Sequence, residues 1–217
     1  MSVALAGLST TAARRGWLGA LALVGGAIFV VGILALHLLD RELDPVTELI
    51  SAYGAGPHWY VLTVSFFAWS VGYLALSVGL GKTVAPARGS TAARMLLFVA
   101  ASAMFANGII PCDPGCSNTT FLGALHSVLS FPFFLGTIAA MLLLIGPFGA
   151  DPRWRTMRRI TIALAVYATI TMLMLFAWRA SGIASWGLVQ RLNVLGLVTW
   201  YLLTADHLRS VLAQRRA

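Results

Sequence analysis

Six apolar runs, each long enough to cross a bilayer, constrain this chain more than any other feature. They fall at about 17–39, 58–80, 92–110, 121–148, 157–178 and 186–208. A helix rises about 1.5 Å per residue, so about 20 apolar residues span the roughly 30 Å hydrocarbon layer. Lipid offers no hydrogen bonds to a backbone, so runs of this length must close their own bonds as helices. Hydrophobic residues make up 59% of the 217 and charged residues 10%, well below the roughly one quarter charged in soluble domains. The expectation is an all-α, polytopic six-helix membrane bundle, with residues 1–217 as one domain.

The formal charge of +8 raises the question of nucleic acid, but the basic residues cluster at the ends of apolar runs. That is the pattern of membrane topology, and no nucleic-acid partner is expected. Arg14, Arg15, Lys82, Arg88, Arg94, Arg153, Arg155, Arg158, Arg159, Arg209, Arg215 and Arg216 all belong to the termini and the second and fourth loops. The remaining loops carry only Arg41, Arg179 and Arg191. The positive-inside rule then puts both termini in the cytoplasm, which six crossings satisfy. The first run is longer than the roughly 7–15 apolar residues of a signal peptide and has no small-x-small cleavage site after it, so it reads as a retained helix.

The acids lie opposite. Asp40, Glu42, Asp44, Glu48 and Asp113 are assigned to the outer loops, Asp151 and Asp206 to the inner side. In the first outer loop, Asp44-Pro45 is a helix start with Asp as cap and Pro at the first helical position. Val46, Leu49, Ile50 and Tyr53 follow at helical spacing, so a short amphipathic helix over 44–54 is expected, with Glu48 and Ser51 on one side.

The next outer turn reads Pro111-Cys112-Asp113-Pro114-Gly115-Cys116. A disulfide between Cys112 and Cys116 is preferred over free thiols on the oxidising side of the membrane, and a zinc site lacks further ligands nearby. His126 falls early in the fourth helix, with Ser130 four residues deeper on the same face. Two readings of His126 stand side by side: a structural hydrogen bond to Asp113 or a hydroxyl, or acid–base chemistry. The sixth run opens with Gln190, Arg191 and Asn193, of which Gln190 and Asn193 share a face. Arg191 is too deep to stay unpaired, and Asp113 or Glu48 is its expected acid. That pair reads equally as a lock on the bundle or as a clamp for a ligand anion.

Ser51-Ala52-Tyr53-Gly54, the Pro-Cys-Asp-Pro-Gly-Cys turn, Gly123-Ala124-Leu125-His126 and Gln190-Arg191 together resemble the prokaryotic six-helix family catalogued as domain of unknown function 998. The resemblance covers nearly the whole chain. It implies the six-helix architecture, highlights Ser51, Asp113, His126 and Arg191, and brings no reaction. Membrane hydrolases such as alkaline ceramidases combine Ser, Asp and three His around zinc; here the Ser follows the His and no His pair closes the set.

The expectation for the site is an outward-facing hollow. Asp113, His126 and Glu48 are its catalytic candidates, and Ser51, Ser130, Gln190, Arg191 and Asn193 would bind the ligand. Neither metal nor cofactor is expected. The hollow would bind, and act on, a lipid or isoprenoid-like amphiphile from the membrane. The alternative is a non-enzymatic binder, carrier or accessory subunit in which the same polar ring is structural or recognises a partner.

Overall fold

Each apolar run forms a helix in the computed structural model, which describes residues 2–214 and side chains from residue 16 onward. The helices are α1 (Ser2–Leu39), α2 (Trp59–Thr83), α3 (Ser90–Ile109), α4 (Phe121–Ala150), α5 (Arg155–Ala180) and α6 (Trp186–Gln214). All six are long and apolar enough to cross a membrane. No strand occurs among the described residues. Helix ends lie within a few residues of expectation except where α1 starts earlier and α6 runs on to Gln214.

Each helix packs on its chain neighbours, and α6 returns to pack on α1, closing a ring. The helices α2 and α6 also touch across the ring and are the most buried. At the centre, Trp69 stacks on Phe29 with ring centroids 3.8 Å apart and meets Phe133 edge-on at 5.1 Å. Tyr73 stacks on Tyr201 at 4.8 Å. Offset and edge-to-face pairs of this kind add roughly 1 kcal/mol each beyond the area they bury. The Tyr201 hydroxyl donates to the Ala22 carbonyl at 2.6 Å, so its polar tip is satisfied inside the bundle. Outward-facing positions such as Val31, Leu34, Phe98, Val166 and Leu173 are apolar and exposed, the surface that lipid covers.

Serines of α2 tie it to α3: Ser70 donates to the Ala101 carbonyl at 2.7 Å and Ser77 to the Arg94 carbonyl at 2.9 Å. At the end bearing the α2–α3 and α4–α5 connections, Asp151 joins the two loops. Its carboxylate accepts from the Ala85 N–H at 2.9 Å and from the Arg153 guanidinium at 2.8 and 3.1 Å. Arg153 also donates to the Thr83 carbonyl at 2.5 Å, while its own carbonyl accepts from His207 of α6 at 2.7 Å. The Arg153 guanidinium first, then the Ala85 N–H, holds the Asp151 carboxyl down to about 2.

The opposite end carries the α1–α2, α3–α4 and α5–α6 connections, and it departs from expectation. The helix anticipated over 44–54 is instead a turn closed by Asp44, an extended residue at Leu49, and a 3-10 turn over Ile50–Ala55. The backbone groups that an α-helix would use are taken by α6. The Val46 carbonyl accepts the Leu188 N–H at 2.9 Å, the Glu48 carbonyl accepts Arg191 at 2.5 Å, and the Ile50 N–H donates to Gln190 at 2.7 Å. The loop thereby satisfies an orphan N–H in the first turn of α6. Gly187 is what lets it lie so close, because a Cβ there would sit 2.4 Å from the Glu48 carbonyl oxygen.

Candidate functional site

Three stretches distant in sequence meet beneath this end: the 3-10 turn, the α3–α4 turn and the first turns of α4 and α6. The Ser51 hydroxyl lies 2.9 Å from His126 Nε2. On the other side of the ring, His126 Nδ1 is 2.5 Å from the Ile110 carbonyl oxygen. A carbonyl can only accept, so in the neutral ring Nδ1 carries the proton and Nε2 offers its lone pair to the Ser51 O–H. His126 is only 3% exposed, and both its nitrogens are spoken for.

Below this pair, the Ser130 hydroxyl donates to the His126 carbonyl at 3.0 Å and accepts from the Asn107 amide at 3.0 Å. Gln190 uses its carbonyl oxygen on the Ile50 N–H, which leaves its NH2 group without a protein partner among the described residues. Asn107 Oδ1 is buried and also unpartnered. Such groups cost free energy unless something meets them.

Two hollows adjoin these side chains. The larger, about 190 Å³, is lined by Ser51, His126, Ser130 and Gln190 on its polar side and by Phe131, Phe134, Met172 and Phe176 on its apolar side. Phe131 and Phe176 are partly exposed and stacked with centroids 6.0 Å apart, so the hollow has an apolar rim between α4 and α5. The smaller, about 20 Å³, lies deeper, shares Ser51, Ser130, Phe134 and Gln190, and adds Asn107, Trp69 and Phe133. It has room for one water-sized group.

Of the residues singled out in the sequence, Ser51, His126, Ser130 and Gln190 come together here. The others do not, and the expected convergence of Asp113 and Arg191 on the same hollow is corrected accordingly. Asp113 makes no bond to His126. Its carboxylate accepts from the Thr120 hydroxyl at 2.6 Å, the Thr120 N–H at 2.8 Å and the Thr119 hydroxyl at 3.1 Å. Thr120 in turn caps α4 by accepting the Gly123 N–H at 3.0 Å. The Thr120 hydroxyl, with the backbone N–H behind it, holds the Asp113 carboxyl below the usual carboxylate range. A Cβ at position 123 would lie 2.2 Å from that carboxylate, so the contact requires glycine.

Arg191 pairs with neither expected acid. Its guanidinium donates to His37 Nε2 at 3.0 Å, to the Glu48 carbonyl at 2.5 Å and to the Gly187 carbonyl at 3.2 Å, with the Tyr53 hydroxyl at 3.5 Å. It ties α1, the first loop and α6 together, and the Glu48 carboxylate takes no part. Asn193 is fully buried and donates to the Ala168 carbonyl at 2.7 Å and the Thr171 hydroxyl at 2.9 Å, joining α6 to α5. Cys112 and Cys116 are bridged, and the bridged turn packs on Ala52 and Leu49 behind Ser51.

The sequence reading missed Asn107, His37 and Thr120. Asn107 and His37 each sit near the end of an apolar run, and a polar residue in that position was the available signal. Nothing in the spacing pointed to the Ile110 carbonyl as the partner of His126.

Comparison with curated proteins and with solved structures returns no match. A family model described as a protein of unknown function, DUF998, matches residues 23–207. That match takes in all the residues around the two hollows, and this six-helix chain belongs to the DUF998 family.

Proposed function

We propose that this protein binds a lipid-like amphiphile in the hollow between α4, α5 and α6, and that His126 performs acid–base chemistry on its polar head. The observation that carries the reading is the composition of the wall. A buried His–Ser pair and a free amide line one side, and aromatic and aliphatic side chains lead to a lipid-facing rim on the other. The volume of about 190 Å³ is below the roughly 300 Å³ at which pockets enclose a whole drug-sized ligand. It suits the head and first carbons of a molecule whose tail stays in the bilayer.

The positive-inside pattern supports placing this end on the outer side of the cytoplasmic membrane, with both termini in the cytoplasm and the ring of helices as one domain. The ligand would then enter from the outer leaflet. Asp113, Glu48 and Arg191 are left out of the chemistry, because Asp113 and Arg191 serve as braces and Glu48 does not line the hollow.

Native mass spectrometry of the full chain released from nanodiscs tests the binding. Wild type should retain a long-chain alkyl amphiphile, and Phe134→Trp, which fills the junction of the two hollows, should lose it while remaining folded. Equal retention by both proteins would remove the hollow as the binding site.

A further inference from the structure

We infer that Ser51 is a nucleophile and His126 its general base, and that the site transfers an acyl group from a lipid-like ester. The proposal rests on the amphiphile-binding reading above and gives it a reaction class. Three observations carry it. The Ser51 hydroxyl and His126 Nε2 are in direct hydrogen-bond contact, and the far side of the imidazole is oriented by the Ile110 carbonyl. A nucleophile, a base and a group that fixes the base form the arrangement that acyl-transfer sites share. The Gln190 NH2 group, free of protein partners among the described residues, lines the same hollow and is a donor for a developing oxyanion. Asn107, 7% exposed, lines the deeper hollow and has a buried Oδ1 without a hydrogen-bond partner, and that hollow has room for one water-sized group beside the same Ser51.

The steps balance without any oxidant or metal. Ser51 Oγ attacks the ester carbonyl carbon while its proton passes to His126 Nε2. The carbonyl electrons shift to oxygen, where Gln190 donates. Collapse of this tetrahedral intermediate breaks the bond to the alkoxy oxygen, which leaves with the proton from His126, and the acyl group stays on Ser51. Water, the acceptor, then attacks the acyl-serine as His126 takes its proton. Collapse releases a carboxylic acid and returns the proton to Ser51. The deeper hollow, with room for one water-sized group beside Ser51, supplies that water.

The test uses the full chain in nanodiscs and a fluorophosphonate bearing a long alkyl chain. Peptide mass mapping should find the adduct on Ser51, not on Ser127 or Ser130, and Ser51→Ala should abolish it. His126→Asn keeps a donor for the Ile110 carbonyl and lacks the second ring nitrogen; its labelling rate should fall by about 100-fold or more. Folding of each variant is checked by its melting transition, and the site of wild-type labelling decides the matter if a variant does not fold. A non-reactive phosphonate diester of the same chain, followed by native mass spectrometry, reports binding separately. Binding of the diester with no Ser51 adduct overturns the nucleophile and leaves the binding reading in place. A Ser51 adduct formed equally fast in His126→Asn overturns the role of His126. Failure of both reagents to bind overturns the binding reading and this proposal with it.

Discussion

Ser51 and His126 are 75 positions apart, yet the serine hydroxyl donates to the histidine ring across 2.9 Å. Neither residue is brought there by its own helix alone. The 3-10 turn holding Ser51 is seated by Gln190 through the Ile50 N–H and backed by the bridged Cys112–Cys116 turn. His126 is aimed by the Ile110 carbonyl, just past the end of α3. The contact therefore depends on four elements agreeing, and its supports can be tested one at a time.

Arg191 braces the loop that precedes the 3-10 turn, through the Glu48 carbonyl and His37. Replacing it with alanine leaves the Glu48 carbonyl and His37 Nε2 without their donor, and hydrogen bonds to a charged group are worth about 1.5–3 kcal/mol each. We expect Arg191→Ala to lower stability by about 2–3 kcal/mol, and Arg191→Lys to recover little of it because an ammonium cannot reproduce the fork. Denaturation in detergent measures this. A variant of normal stability that has lost only ligand binding would mean that Arg191 is a clamp for the ligand.

The bridged turn should respond to reductant. Intact protein is expected to resist maleimide until reduced, after which Cys112 and Cys116 both label. Closing a loop this short constrains the unfolded chain by about 2 kcal/mol in the loop-entropy account, so reduction should lower the melting temperature modestly. Immediate labelling without reductant would exclude the bridge.

Asp151 makes the other end of the bundle sensitive to acid. Its folded-state carboxyl sits at about 2, below the ordinary 3.8, so its contribution is complete above about pH 4 and is lost as the pH falls through about 2. Asp113, also held low, contributes in the same direction. Asp151→Asn should melt earlier than wild type at neutral pH and lose less stability than wild type between pH 4 and 2. Parallel pH profiles for the two proteins would show that the Arg153 and Ala85 contacts do not stabilise the fold.

What was legible in the sequence follows from which forces leave a pattern there. The six helices could be read because length and hydropathy are properties of contiguous residues, and the bilayer accepts few alternatives. The partners of the polar residues could not. Charge was expected to find charge, with Arg191 on Asp113 or Glu48, but Arg191 took carbonyls and a neutral imidazole. His126 took the Ile110 carbonyl, Asn193 the Ala168 carbonyl, and Asp113 its own neighbours Thr119 and Thr120. Every residue has a backbone carbonyl, so no spacing marks which one will be used. The 44–54 segment failed as a helix for the same reason: its amides and carbonyls were claimed by α6, which no local propensity records.

The central claim is that an amphiphile enters between α4 and α5 and places its head at Ser51 and His126. A lipid carrying a diazirine near its headgroup, photolysed with the full chain in nanodiscs and mapped by peptide mass, tests it most directly. Adducts should concentrate on Phe131, Phe134, Met172 and Phe176 and should disappear in Ser130→Trp. Adducts spread evenly over the lipid-facing sides of α1, α3 and α5, and unchanged by Ser130→Trp, would contradict it.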